Sequence, residues 1–211
     1  DIMERIALSE TEATALRAKC LKVLGYIIRN KEGQSFSDWR KAISSSLEAG
    51  DREIVKGACY AIAVAGLTEE VDNLIALYRK EDDTDMKSYL LKVFGAFASR
   101  VLRGDRVGQS KIKPVKEIRD IVANELISKK VDASLKYDIC YFIDGLGREF
   151  MNDKIMEGFI FNISTGEEKS GKLSELCIDI LELQAGRNYG NDLKNWIGWW
   201  KKTKIKWNSK Y

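Results

Sequence analysis

The stretch "NYGNDLKNWIGWWKK", residues 188 to 202, places Trp196, Trp199 and Trp200 within five positions, with Lys194, Lys201 and Lys202 beside them. Indole faces can stack on a ligand or a nucleobase, or they can seal a hydrophobic core. Helical geometry separates the two readings. With Trp196 set at zero and about 100° per residue, Trp200 falls near 40°, Leu193 near 60°, Ile197 near 100° and Trp199 near −60°. Lys194, Lys201, Lys202, Asn195 and Gly198 fill the opposite sector. An apolar arc of about 160° has the width of a core-facing stripe, so Trp196, Trp199 and Trp200 are expected to cap the end of the fold. If the helix packs on the preceding one, its neighbours there would be Leu176, Ile180 and Leu183.

Other residues able to do chemistry are few. Base excision would want an exposed carboxylate beside aromatics in a basic groove, and the carboxylate next to the tryptophans is Asp192, which stands where a helix cap belongs. The chain has no histidine, which removes the commonest general base and metal ligand. Cys20, Cys59, Cys140 and Cys177 show no C-x-x-C spacing. Each lies within an apolar helical stretch, as in "GACYAIAVAG" and "DICYFIDGLG", and is expected to be a small buried thiol. The acidic run "EDDTD" at 81–85 lacks the twelve-residue calcium-loop spacing and reads as a solvated turn leading into a helix. No phosphate-binding glycine loop, dinucleotide fingerprint or nucleophile elbow is found. Neither a catalytic constellation nor a cofactor or metal site is expected.

The charge is unevenly spread. Residues 187–211 carry Arg187 and six lysines against Asp192 alone, whereas the preceding 186 residues carry 28 cations and 31 acids. The segment "KKTKIKWNSK" could meet phosphates or an acidic protein surface, or its lysines could simply solvate a terminal cap. The longest loop, "RGDRVGQSKIK", adds Arg103, Arg106, Lys111 and Lys113, with Lys116 and Arg119 on the helix that follows. No apolar run reaches the roughly 18 residues of a membrane span. The first residue is Asp1, so the expectation is a trimmed start with any leader lying outside this sequence. Scattered cysteines lean toward a reducing compartment, and so toward a cytoplasmic location.

The elements that must position these residues are helices. Strand-like alternation is lacking, and Pro114 is the one proline. "LKVLG" at 21–25 returns as "LKVFG" at 91–95, two units of about 35 residues apart, and Cys59-Tyr60 is echoed by Cys140-Tyr141. Aligning Gly25, Gly66, Gly95, Gly147 and Gly186 gives five related segments. A recurring helical glycine costs about 1 kcal/mol relative to alanine and needs a reason. Close approach of a neighbouring helix is the expected one, with a helix C-cap as the alternative at Gly66 and Gly186.

Start and stop signals then outline ten helices in five antiparallel pairs. The longer members are placed near 10–30, 51–66, 84–103, 133–149 and 167–186. The shorter lie near 37–48, 69–80, 114–129, 152–163 and 192–203. Ser37 is the expected cap of its helix, Pro114 the first helical residue of its own, and Asn or Asp opens the last two short helices.

Paired helices of this size, with a glycine-marked packing position and the ending "YGNDLKNWIGWWKK", resemble HEAT- and armadillo-type repeat proteins across essentially the whole chain. The ending is similar to a closing signature of bacterial HEAT-repeat proteins, where a glycine-Asp turn precedes W-x-x-W-W. The proline common in the first helix of HEAT units is missing here. The resemblance implies an all-α, right-handed α-solenoid of about five antiparallel helical hairpins, with residues 1–211 as a single HEAT-like repeat domain and 187–211 as its basic cap and tail. It further implies a non-enzymatic scaffold that holds a protein or peptide partner on its curved surface. Lys116 and Arg119 would then line the binding face, with Lys194, Lys201 and Lys202 as further contacts. Nucleic-acid binding is the alternative, extending to base excision because some DNA glycosylases are HEAT-like.

Overall fold

The computed structural model describes residues 2–30, 36–102, 112–164 and 171–208. Among these the chain is all-helical, with α1 (Ile2–Leu8), α2 (Thr14–Asn30), α3 (Ser37–Ser45), α4 (Arg52–Ala65), α5 (Thr68–Lys80) and α6 (Thr84–Leu102), then α7 (Ile112–Ile127), α8 (Ala133–Leu146), α9 (Asp153–Ser164), α10 (Gly171–Ala185) and α11 (Leu193–Asn208). A 3-10 turn at Ser46–Glu48 extends α3. The first long helix expected at 10–30 begins later, at Thr14 in α2 after the turn at 9–13, and α1 is a short helix additional to those expected. Residues 103–111, with Arg103, Arg106 and Lys111, lie outside the described residues.

Local signals set the helix ends. Asp51 caps α4 by accepting from the Glu53 amide at 2.9 Å, and Asp132 caps α8 by accepting from Leu135 N at 2.9 Å. Asn152 and Asp192 do the same for Ile155 N (2.9 Å) and Asn195 N (3.0 Å). Two expected starts differ. Phe36, not Ser37, holds the cap position of α3, and Pro114 is the third rather than the first residue of α7. Both shifts leave proline and serine inside the first turn, where a missing or competing donor costs little.

The chain forms two compact units, residues 1–100 and 101–211. In the first, α2 and α4 pack backbone to backbone. A Cβ added at Gly25 would stand 2.7 Å from Ala61 Cα, and one added at Gly57 would stand 2.8 Å from the Ala18 carbonyl oxygen. Close approach therefore explains Gly25, and Gly57, outside the aligned series, is its reciprocal partner. The other aligned glycines do not all share that role. Gly66, Gly147 and Gly186 have φ of 69°, 75° and 63° and end their helices, so the C-cap reading holds for Gly66 and Gly186 and extends to Gly147. The α4–α6 pair is tied by Tyr89 Oη, which donates to the Lys56 carbonyl at 2.8 Å, and by Arg100, whose Nη1 donates to the carbonyls of Ala63 (3.1 Å) and Val64. Tyr78 and Phe94 fill the core beneath, ring centroids 5.6 Å apart.

In the second unit, α9 lies between α7 and α11, and α10 packs on α8 and α9. Asn162 on α9 is buried and donates to the carbonyls of Leu126 (2.8 Å) and Gly158 (2.7 Å) while accepting from Lys136 Nζ at 3.1 Å. Its amide is fully used, as burial demands. Phe150, Phe159, Ile155 and Met156 complete the apolar interior.

Candidate functional site

Asp192 ends the turn after α10 and accepts from both the Asn195 amide and its side-chain nitrogen, the latter at 2.8 Å. That fixes the first turn of α11 and the direction of its indoles. Trp196 is fully buried and Trp200 is 4% exposed, while Trp199 is half-buried. Trp196 donates through Nε1 to the Gly190 carbonyl at 2.8 Å, and its ring meets Tyr189 edge-on at 4.9 Å and Trp199 at 5.8 Å. An indole face already covered by protein has no room for a base. The neighbour is not the one expected from sequence order. α11 runs closest to α9 rather than to α10, and Leu183 on α10 is 72% exposed. Lys204 anchors this pairing, with Nζ 2.6 Å from Glu157 and 3.5 Å from Asp153, both on α9. The Glu157 hydrogen bond chiefly holds the Lys204 ammonium above its usual range.

The sequence-predicted contact residues fall on two helices of one layer. Lys116 and Arg119 are on α7, the first exposed and the second half-buried. Lys194, Lys201 and Lys202 are exposed on α11. Between them, α9 offers Lys154, also exposed. The layer α7–α9–α11 therefore carries Lys113, Lys116, Lys154, Lys194, Lys201 and Lys202 in solvent, with the nearest acids of α9 engaged by Lys204.

Chemistry that would need a titrating centre is poorly served. All four cysteines are free and buried. Cys140 and Cys177 lie 3.8 Å apart, and the shared hydrogen bond, with burial, pushes the Cys140 thiol well above its ordinary range. Burial alone drives Cys59 up to about 12. Thiols so held stay protonated and unreactive. Lys136 is buried beside that cysteine pair, and desolvation lowers its pKa. The "EDDTD" segment is tied down internally: Asp83 accepts from Met86 N at 2.8 Å, and Arg52 bridges Glu81 (3.5 Å) and Asp83 (2.9 Å). Among the described residues no group of three or more Cys, Asp or Glu side chains could hold a metal ion. Among those residues, too, no helix is long and apolar enough to cross a membrane.

Two pairs of tyrosines were not singled out by the sequence. Tyr26 on α2 and Tyr60 on α4 share a hydrogen bond of 2.6 Å, and Tyr137 and Tyr141 on α8 share one of 3.0 Å. The Cys-Tyr echo flagged Tyr60 and Tyr141 as equivalent positions without revealing their partners. Depressions open to solvent lie along α1, by Arg5 and Glu12, and beside Leu47, Asn73 and Lys80. Compared with known proteins, the chain matches no family model, and no curated protein or solved structure is significantly similar to it.

Proposed function

We propose that each unit is a stack of HEAT-like helical hairpins and that the protein is a non-enzymatic scaffold, holding a protein or peptide partner on the α7–α9–α11 layer. The observation that carries this reading is a sequence offset of about one repeat that recurs in several contacts between helices. Thr14 reaches Asp51, the Arg100 guanidinium reaches Ala63, and Cys140 meets Cys177, each 37 residues apart; Asn162 reaches Leu126 across 36. Contacts that recur at one repeat length are what stacked hairpins produce. Stacking creates a broad, shallow face instead of a deep pocket, which suits an extended partner, and the exposed lysines favour an acidic one.

The test is a peptide-display selection against the folded protein, repeated with Lys116, Lys194, Lys201 and Lys202 all changed to Glu. Selected peptides should be acidic and should lose binding to the variant while its melting temperature holds. A single observation favours a second reading, nucleic-acid binding: α11 has five lysines and no acid. In that case short DNA or RNA duplexes bind, with affinity falling steeply as salt rises, and no peptide is selected. That outcome overturns the scaffold reading.

A further inference from the structure

The helix faces that carry the two tyrosine pairs are opposite in charge. α2 holds Arg17, Lys19, Lys22 and Arg29 and no acid. Leu16, Lys19, Val23 and Tyr26 recur at spacings of three and four, so they form one stripe, and all four are exposed, the three apolar ones at 41%, 37% and 44%. Beside the stripe, Lys22 Nζ stands 5.8 Å over the Tyr60 ring. α8 and α10 together hold five acids against two lysines, one of which, Lys136, is buried. On α8, Tyr137, Tyr141 and Asp144 share a stripe, as do Glu175, Asp179 and Leu183 on α10. Tyr141 is 52% exposed and Leu183 72%. The Tyr137 hydrogen bond chiefly raises the pKa of the Tyr141 phenol, with lesser contributions from the Asp144 and Asp179 carboxylates.

Each face alone leaves large apolar side chains in water among charges of predominantly one sign. Exposed patches of that composition mark interaction surfaces. Their charges complement one another, and so do their apolar parts, because tyrosine rings accept lysine and leucine stems equally well. The 17 residues of α2 make a stripe about 25 Å long, long enough for an interface of ordinary size. We propose that the protein binds a second copy of itself head to tail, the cationic α2 face of one copy seating on the acidic, aromatic α8–α10 face of the other. The contact is heterologous and excludes neither a closed ring nor an open chain. It is independent of the scaffold reading, which uses different helices.

Sedimentation velocity of the full chain tests it, with three proteins at low and high salt. The wild type should sediment faster as its concentration rises, and high salt should weaken this. Lys19→Glu/Lys22→Glu cancels the cationic charge of α2, and Asp144→Lys/Asp179→Lys cancels the acidic charge of α8 and α10. Each should lose self-affinity by roughly a hundredfold, since the opposed charges no longer complement one another. Mixing the two variants should restore association, because the native α8–α10 face of the first meets the native α2 face of the second. Circular dichroism melts confirm that these exposed substitutions leave the fold intact; should either pair unfold, Lys19→Gln and Asp179→Asn give the milder version. A wild type that stays monomeric at low salt overturns the proposal, even if it captures acidic polyglutamate. Variants that associate like the wild type, or a mixture that stays monomeric, overturn it as well.

Discussion

The two units join neighbouring helices by different means. Where α2 and α4 approach most closely, backbone meets backbone and methyl groups, because Gly25 faces Ala61 and Gly57 faces Ala18. In the second unit, where Gly158 meets the side chain of Leu126 and not backbone, larger groups fill the contacts: Asn162 bridges α9 to α7, Cys140 meets Cys177, and Trp196 and Trp200 fill the end beside α9. The difference is one of tolerance. A glycine seam is closed by the absence of atoms, so any addition opens it. A seam made of large side chains already holds the volume, so removal damages it. Helix contacts in the two units are thus vulnerable to opposite kinds of substitution.

Removal from the second unit should have the largest effect. Trp196→Ala deletes a fully buried indole together with its hydrogen bond to Gly190 and should cost about 3–5 kcal/mol. Hydrogen exchange should report the loss first in α11 and α9, because local opening follows the weakened contact. Uniform loss of protection through α2 and α4 would show that the two units do not respond separately.

Addition to the first unit comes next. Gly57→Ala would push a methyl to within 2.8 Å of the Ala18 carbonyl oxygen and 2.9 Å of its Cα. Backbone cannot rotate aside, so the helices must separate, at a net cost of about 1–3 kcal/mol. Alanine's better helix propensity, up to about 1 kcal/mol, offsets only part of this. Chemical denaturation checks it, and an unchanged midpoint would mean that the seam is looser than the contacts indicate.

The smallest effect has the opposite sign. Gly198 lies within α11, and a Cβ there meets nothing within 4 Å. Gly198→Ala should therefore stabilise by roughly 0.5–1 kcal/mol from propensity alone. If Gly198→Ala and Gly57→Ala shift the midpoint in the same direction, glycine type rather than seam geometry governs both positions.

Much of the local structure could be read in advance. "NDKIM" and "NDLKN" announce helix starts because a side-chain oxygen must satisfy free amides within the first turn, and Asn152 and Asp192 do so. Trp196 and Trp200 are buried on the face that their 3.6-residue spacing defines. The candidate lysines could be recognised as solvent-exposed for the same reason. Their assembly on one layer could not, nor could the capture of Lys204 by α9, since its partners are 47 and 51 positions away in the chain.

Sequence alone determined the helical class, the caps of α9 and α11, the burial of the four thiols and the inward face of α11. Each follows from backbone geometry and side-chain polarity acting over one or two turns. Only the tertiary structure decided which glycines meet the backbone of another helix: Gly25 and Gly66 hold aligned positions in the sequence, yet a Cβ at Gly25 would stand 2.7 Å from Ala61 Cα, whereas Gly66 turns the chain at φ 69°. It also decided that α11 lies against α9 and not α10, and that Tyr26 pairs with Tyr60 while Tyr137 pairs within its own helix. The physical reason is that periodicity gives each helix an apolar face without naming the helix that covers it. That choice rests on volumes and charges matched between segments 30 to 50 residues apart, which no local pattern encodes.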